Sequence, residues 1–287
     1  MPRCRQGVGS GGHMKQYRLG AFVAIGSMAL ISALSLQCNL LGSEESDDTA
    51  LALGVLAIAA NSAGCNSCVT NNDASLPSWI KDNFTCMTVT VSGSNYVFQT
   101  SNLPPYQNGY YSQTSGCYIN DFPSGNSPNP NTISSQSIRL TIPASPDTSG
   151  STTDFGPMGV TVNGLAIYNN QAAPGDTLAD ELDTMDSGNG HPTNIGQYHY
   201  HTEPYKITND GSELVGIALD GYAIFGRKDP GGVNPGTNAA IDANGGHTHN
   251  HAVVGNTYHY HLALDGGSGG YLVLKQDFHG TKGTVSQ

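Results

Sequence analysis

Nine of the ten histidines in this 287-residue chain fall between His191 and His279. Four of them belong to two Tyr-His-Tyr-His blocks, Tyr198–His201 and Tyr258–His261. Successive side chains of a β-strand point to opposite faces, so the two histidines of a block share one face, with their Cα atoms about 7 Å apart. Both imidazoles can then reach one metal ion, and neutral imidazole is the commonest metal ligand in proteins. The blocks therefore predict binding of a transition-metal ion.

The two blocks occupy matching positions in an internal repeat, whose units span about residues 159–204 and 216–264. Each unit begins with an apolar segment that contains Asn-Gly or Asp-Gly, the strongest short hairpin signal. A glycine-rich loop ending in Gly-His follows, and the Tyr-His-Tyr-His block closes the unit. The matched segments are Gly159–Tyr168 with Gly216–Phe225, Asp186–His191 with Asp242–His247, and Tyr198–His201 with Tyr258–His261. The repeat predicts a single pseudo-twofold domain of mainly β structure with glycine-rich loops.

Each unit contributes one loop histidine and the two histidines of its block to a candidate metal site. The predicted ligands are His191, His199, His201, His247, His259 and His261. If the pseudo-twofold axis brings the two blocks together, their imidazoles share one ion, and we favour this arrangement. The first alternative is one ion in each unit. The second is a hydrogen-bonded core of histidine and tyrosine without a metal.

Two aspartates, Asp186 and Asp242, precede the loop histidines at matched positions. They are candidate catalytic bases, or groups that ligate the ion or orient a ligating imidazole. Turn formation in a glycine-rich loop requires no metal and is the favoured role. His249 and His251 have no counterpart in the first unit, and we expect loop residues there rather than a local metal-binding tract. Isolated His279 is expected to have no role, and the tyrosines of the blocks are expected in the core.

The histidines leave the class of function open. Imidazole-rich sites suit Zn(II) and Cu(II) first, with Fe(II) and Ni(II) as alternatives. A metal-binding module is the first hypothesis, whereas an open position on the ion would allow a metal-dependent oxidoreductase or hydrolase. A structural or adhesive surface protein is the third. The sequence contains no P-loop and no H-E-x-x-H motif, and it predicts no particular reaction, substrate or protein partner.

The composition is typical of a turn-rich β protein and excludes one class of partner. Charged residues make up only 11% of the chain, whereas glycine and proline number 37 and 15, well above their usual share. The formal net charge is −11, from 11 basic and 22 acidic side chains. A basic surface for nucleic acid is therefore not expected.

The N-terminal residues have the pattern of an export signal. Basic residues precede an apolar run over residues 19–34, which is too short to favour a permanent membrane span. We assign residues 1–37 to a signal peptide, with Met14 as an alternative translation start. The last four residues of this segment and the cysteine that follows it, Leu-Ser-Leu-Gln-Cys, resemble a bacterial lipobox, so Cys38 is the predicted lipid-bearing residue. The expected location is the bacterial cell envelope, with a lipid anchor in the membrane, and ordinary secretion is the alternative.

The mature chain divides into a tether and a β domain. Residues 38–77 are the expected lipidated cysteine and tether, which is acidic and disordered at its start. Residues 78–287 are the expected β domain. Within it, runs rich in apolar and β-branched residues predict strands at Phe84–Val91, Tyr96–Thr100 and Ser137–Pro143.

Four further cysteines form an even number in a chain that we expect to be exported. They are Cys65, Cys68, Cys86 and Cys117, and they predict up to two disulfides. A redox dithiol at Cys65 and Cys68 is disfavoured, because no βαβ pattern surrounds it. A zinc site of four thiols is disfavoured because an oxidising compartment does not keep thiols reduced.

The same motifs are those by which the chain resembles the YHYH-domain family, named for the block found here at Tyr198–His201 and Tyr258–His261. The similarity extends over roughly residues 83–280 and includes Gly159–Tyr168 and Leu219–Gly226. The resemblance implies a shared fold and a shared set of histidines. It implies no reaction, because the family has no settled biochemical activity.

Overall fold

The computed structural model describes Cys65 and residues 68–287, all of which belong to one structural unit. The predicted signal peptide, Cys38 and the acidic tether lie outside the described residues. Within the described part of the chain, no helix is long and apolar enough to cross a membrane. Strands dominate the regular structure, which confirms the predicted β class.

The strands are short and numerous. In chain order they are β1 (Asn71–Asn72), β2 (Thr88–Ser92), β3 (Asn95–Thr100), β4 (Ile138–Pro143), β5 (Ser151–Thr152), β6 (Gly159–Thr161), β7 (Ala166–Ile167), β8 (His191–Pro192), β9 (Tyr198–Tyr200), β10 (Leu214–Ala218), β11 (Ala223–Phe225), β12 (Gly246–His251), β13 (Gly255–His261), β14 (Ala263–Leu264), β15 (Tyr271–Leu272), β16 (Asp277–Phe278) and β17 (Thr284–Ser286). The helices are α1 (Ser78–Lys81), α2 (Leu178–Leu182) and α3 (Pro235–Asn238). Two sheets contain most of the strands, and β14–β15 and β5–β16 form two small pairs.

The larger sheet has eight strands in the order β12-β13-β11-β10-β6-β7-β9-β8. Its centre is the antiparallel pair of β6 and β10. From this centre, each half continues with an antiparallel hairpin, a parallel strand that contains the Tyr-His-Tyr-His block, and an antiparallel edge strand. The two halves therefore have the same strand order and the same directions. The repeat inferred above concerns sequence similarity and stays a prediction.

The two hairpins next to the centre turn at the dipeptides that the sequence singles out. Gly164 has a φ of +84° and Gly221 has a φ of +96°, a left-handed conformation that glycine adopts without steric cost. The Gly164 amide donates to Thr161 O at 3.0 Å, and the Gly221 amide donates to Ala218 O at 2.9 Å. These bonds close the turns and confirm the predicted hairpins.

The smaller sheet has five strands in the order β1-β2-β3-β4-β17. Strands β2, β3 and β4 form an antiparallel meander that contains the three predicted strands. The first of these predictions starts too early, because β2 begins at Thr88 and not at Phe84. Cys86 has a φ of +62°, which interrupts extended backbone at that point.

The two sheets share one apolar core. Alternate residues of β4, namely Ile138, Leu140 and Ile142, are buried in the same cluster as Val160 and Ile217 of the larger sheet. Burial of each such side chain contributes roughly 1.5–3 kcal/mol. The tyrosines of both Tyr-His-Tyr-His blocks belong to this cluster, as expected. Because side chains alternate along a strand, the histidines of the blocks face away from the core.

One disulfide joins Cys68 to Cys86, which confirms one of the predicted bridges. The other two candidates are neighbours in space, since the Cys117 thiol donates to the Cys65 carbonyl oxygen at 2.9 Å. Burial and the adjacent Cys117 raise the pKa of the Cys65 thiol to about 12. The described part of the chain thus contains one disulfide, within the prediction of up to two.

Candidate metal sites

Three histidines of the first half form a buried cluster that we call site A, together with Glu181. His191 lies on β8, directly opposite His199 on β9, and His201 follows β9. His199 Nε2 is 3.1 Å from His191 Nε2 and 3.1 Å from His201 Nε2. One ligand atom from each imidazole therefore converges on a common point, as a metal site requires.

The opposite ring nitrogen of each imidazole in site A is held by an oxygen atom. The Nδ1 partners are Thr184 Oγ1 for His191 (2.6 Å), Gln197 O for His199 (3.1 Å) and Asn169 O for His201 (2.6 Å). A carbonyl oxygen only accepts hydrogen bonds, and the Thr184 hydroxyl gives its own hydrogen to the Glu181 carbonyl. All three Nδ1 atoms therefore carry the proton. In neutral imidazole this leaves each Nε2 with a lone pair that faces the other two.

A carboxylate completes site A. Glu181 Oε2 lies 3.0 Å from His201 Nε2 and 3.8 Å from His191 Nε2, and it has no hydrogen-bond partner within the described structure. The other oxygen, Oε1, accepts from the Ala173 amide at 2.9 Å. Helix α2 positions this side chain, and Thr177 caps the helix by accepting from the Asp180 amide. Sequence reasoning missed Glu181, because it belongs to no motif and precedes Tyr198, the start of the first block, by 17 residues.

The acid–base state of site A suits metal binding. Burial lowers the pKa of His191 to about 4 and holds the pKa of His199 well below its ordinary value. Burial alone would raise the pKa of Glu181, but its contact with His201 and the hydrogen bond from Ala173 lower it overall. At neutral pH the site therefore presents the uncharged imidazoles of His191 and His199 and one carboxylate, which are the ligand forms that a cation requires.

The second half contains a similar cluster, which we call site B: Asp229, His247, His259 and His261. His247 on β12 lies directly opposite His259 on β13, as His191 lies opposite His199 in site A. Asp229 Oδ1 lies among the imidazoles, with Nε2 distances of 3.8 Å to His247, 3.9 Å to His259 and 3.3 Å to His261.

The imidazoles of site B are oriented in the same way. The Nδ1 partners are backbone oxygens: Ala239 O for His247 (2.9 Å), Thr257 O for His259 (3.1 Å) and Gly226 O for His261 (2.8 Å). The Nε2 atoms of all three are buried without a hydrogen-bond partner within the described structure. Burial lowers the pKa of His259 to about 3 and that of His261 to about 4. Three lone pairs again face one point.

The expectation that His249 and His251 are loop residues is wrong, because both lie on β12. They share a face with His247, since the sequence Gly-His-Thr-His-Asn-His alternates along the strand. His249 Nε2 lies 2.9 Å from Asp229 Oδ1. His251 packs against the Phe225 ring at 4.0 Å, and its Nδ1 accepts from the Val253 amide, so its proton sits on Nε2. This alternation of histidine with other residues is the sequence signal that could have identified a strand here.

The six predicted ligands therefore fall into two groups, and the expectation of one shared ion is wrong. Strands β9 and β13 are five positions apart in the larger sheet. Neighbouring strands are about 4.8 Å apart, which separates the two blocks by roughly 24 Å. The pairing of β6 with β10 places the hairpins at the centre and the blocks towards the two edges.

Asp186 and Asp242 belong to neither site. Asp186 accepts the Tyr198 hydroxyl at 2.8 Å and the Gly188 amide at 2.8 Å. Asp242 accepts the Tyr258 hydroxyl at 3.0 Å and the Asn244 amide at 2.9 Å. Both carboxylates thus form turns and anchor tyrosines, which is the favoured of their predicted roles, and neither is placed to act as a base beside a metal.

The ring of His279, for which no role was expected, stacks on Tyr258, with centroids 3.7 Å apart. His279 Nδ1 also lies 3.8 Å from Asp242 Oδ2. This histidine therefore contributes to packing around the second turn and lies outside both sites.

A comparison with protein families matches the family model described as YHYH protein to residues 139–232. The matched segment contains all of site A and, from site B, Asp229. A YHYH domain is therefore present in the chain. Neither the curated proteins nor the solved structures gave a match.

Proposed function

We propose that the chain binds two transition-metal ions, one in site A and one in site B. The observation that carries this proposal is the orientation of the imidazoles. In each site, three buried rings are fixed through Nδ1 and turn unprotonated Nε2 atoms towards one another. Such an arrangement is repulsive when empty, and a cation at the common point converts it into coordination.

The spacing in site A supports coordination of a first-row metal ion. A nitrogen ligand lies about 2.1 Å from Zn²⁺, and two ligands at angles of 90–109° are then roughly 3.0–3.4 Å apart. The Nε2 separations of 3.1 Å between His199 and its two neighbours fall in that range. Three nitrogens and a carboxylate suit Zn(II) and Cu(II), with Fe(II) and Ni(II) as alternatives. Neither site contains a thiolate, which disfavours Cu(I).

Metal uptake by the whole chain tests the proposal. Protein stripped with a chelator, equilibrated with Zn²⁺ or Cu²⁺ and dialysed should retain close to two equivalents by elemental analysis. The His279→Ala variant is the matched control, because it removes a histidine that lies outside both sites, and it should retain the same amount. Protein that stays metal-free after exposure to both ions would refute metal binding.

We further propose that the domain is exported and held at the bacterial cell envelope by a lipid on Cys38. The lipobox-like sequence before Cys38 supports this, and the Cys68–Cys86 disulfide suits an oxidising compartment. Labelling cells with a radioactive fatty acid should mark the protein, and Cys38→Ser should abolish the label and release the protein from the membrane fraction. Unchanged membrane association of Cys38→Ser would contradict the anchor.

A further inference from the structure

Site A opens onto a cleft, whereas the ligands of site B are enclosed. The cleft has a volume of about 570 Å³, and its walls include Glu181 and all three imidazoles of site A. The Glu181 side chain is 14% exposed and that of His191 is 7% exposed. In site B, the four side chains are 0–2% exposed. A cavity of about 410 Å³ beside site B is lined by His249 and His251 and not by those four residues.

The side chains at one pair of equivalent positions in the two halves account for the different exposure of the two sites. Thr193 and His249 each lie two residues beyond the loop histidine of their half, so they point to the same face as that histidine. Thr193 is placed across from Gln197, because its amide donates to Gln197 O at 3.0 Å. His249 is paired with Thr257 in the corresponding position. The two side chains therefore occupy equivalent places relative to their sites.

The two side chains differ in whether they place a metal-ligating group beside the site. Thr193 lines the cleft beside site A. His249 instead presents an imidazole whose Nε2 lies 2.9 Å from Asp229 Oδ1, the atom at the centre of site B. Site B thus has a fourth imidazole where site A has a short hydroxyl side chain and open space. A catalytic or exchanging metal keeps an open position, whereas a structural metal has a full shell of protein ligands.

The walls of the cleft indicate what could occupy the open position. Among the described residues that line it there is no lysine or arginine, and Glu181 and Asp176 supply negative charge. The side chains of the cleft therefore add no positive charge for an anion beyond that of the ion itself. Phe155 exposes 64% of its surface, and Tyr168 stacks on His199 with centroids 3.9 Å apart. Aromatic walls favour a ligand with an apolar face, and an open position on such an ion is ordinarily filled by the oxygen atom of water or of a substrate.

From these observations we infer that site A is an open metal centre that binds an uncharged oxygen ligand of the phenol class, and that His249 closes site B. The inference rests on the metal binding proposed above. It assigns different roles to the two halves: exchange with an external ligand in site A, and retention of the ion in site B.

Reciprocal exchange of the two residues tests this inference in Cu²⁺-loaded protein with one site removed. His259→Ala/His261→Ala leaves site A, and His199→Ala/His201→Ala leaves site B. Copper in site A should accelerate the relaxation of water protons several-fold more than copper in site B, because only site A holds exchangeable water. Thr193→His should suppress the effect in the first protein, and His249→Thr should create it in the second.

Phenol and inorganic phosphate serve as the ligand probes. Phenol should change the visible spectrum of copper in site A and reduce the water relaxation at lower concentration than phosphate does. Equal relaxation from both single-site proteins, or a phosphate effect at lower concentration than that of phenol, would overturn the inference.

If His249→Thr fails to fold, the Thr193→His variant still decides the role of this position. Failure of the metal proposal is distinguishable, because the unsubstituted protein would then take up no copper.

Discussion

At the scale of single residues, the positions of hydrogen atoms define the candidate sites better than the number of histidines does. Nine histidines crowd the second half of the chain, yet six share one arrangement, with Nδ1 bonded to an oxygen and Nε2 turned inward. His251 has its proton on the opposite nitrogen, and His279 packs on a tyrosine. The ligand sets therefore follow from hydrogen-bond partners, which a sequence pattern does not specify.

Glu181 is expected to contribute directly to the affinity of site A. Glu181→Gln keeps the size of the side chain but removes the negative charge that faces His201. The affinity of site A for Zn²⁺ should fall by about 10-fold or more, since even outer partners of metal ligands contribute 10–100-fold. Asp176→Asn is the matched control, because it removes an exposed carboxylate from the same cleft. Competition titration against a chelator measures both, and equal losses in the two variants would contradict direct ligation.

Asp186 should make the stability of the metal-free protein depend on pH. Burial raises the pKa of its carboxyl from 3.8 to about 7. A folded-state pKa above the unfolded value means that folding favours the protonated carboxyl, so its stabilisation is complete below about pH 3.8 and is lost as pH rises through 7. Between those limits the loss approaches about 1.4 kcal/mol per pH unit.

The Asp186→Asn variant should remove this dependence, because an amide does not titrate. Urea unfolding at pH 5 and pH 8 should show the stability of Asp186→Asn rising relative to the unsubstituted protein at the higher pH. Asp242→Asn controls for the loss of a tyrosine hydrogen bond, since Asp242 accepts the Tyr258 hydroxyl from a more exposed turn. A constant difference between the Asp186 variant and the unsubstituted protein at both pH values would contradict a buried, titrating carboxyl.

At the level of secondary structure, the sequence predicts individual strands and hairpins but not how they pair in the sheet. Glycine dipeptides locate both hairpins, and alternation assigns tyrosines and histidines to opposite faces of β9 and β13. Both features are determined by residues that are close together in the sequence. The antiparallel pairing of β6 with β10 joins segments more than 50 residues apart, and no local pattern specifies it. That pairing separates the two blocks, so the prediction of a shared ion was wrong.

The lack of a local sequence pattern also explains why the sequence did not predict the carboxylates of the two sites, Glu181 and Asp229. Glu181 lies on a five-residue helix, and Asp229 lies in a turn after β11. Each reaches its site only because the loops fold over the outer face of the sheet. Sequence reasoning identified the ligands that lie on strands, where alternation determines direction, and it had no comparable rule for loops.

The β6–β10 junction should be sensitive to added volume. A Cβ atom at Gly216 would overlap the Val160 carbonyl oxygen and approach the Thr161 Cα, both in the partner strand. Gly216→Ala should therefore destabilise the protein by about 1–3 kcal/mol, the usual cost of overpacking. Gly116→Ala is the control, because a Cβ there meets no atom within 4 Å, and it should change stability by less than about 0.5 kcal/mol. Denaturant unfolding measures both, and equal effects would contradict close contact at the junction.

In the molecule as a whole, the fold uses one apolar core to support two candidate metal sites. The tyrosines of both halves pack between the sheets, and the histidines beside them face outward under loops. Each site is therefore held by a rigid strand pair, while the loops supply the carboxylates. This arrangement allows the two sites to differ without a change in the core, as the contrast between Thr193 and His249 indicates.

Sites A and B are expected to bind their ions separately, and the metal content of two double variants distinguishes this from one shared ion. His199→Ala/His201→Ala removes two ligands of site A, and His259→Ala/His261→Ala removes two ligands of site B. After equilibration with Zn²⁺ and dialysis, the unsubstituted protein should retain two equivalents. Each double variant should retain one, and the combined variant none. Loss of all metal in either double variant, with its fold preserved by circular dichroism, would contradict two separate sites and support a shared ion.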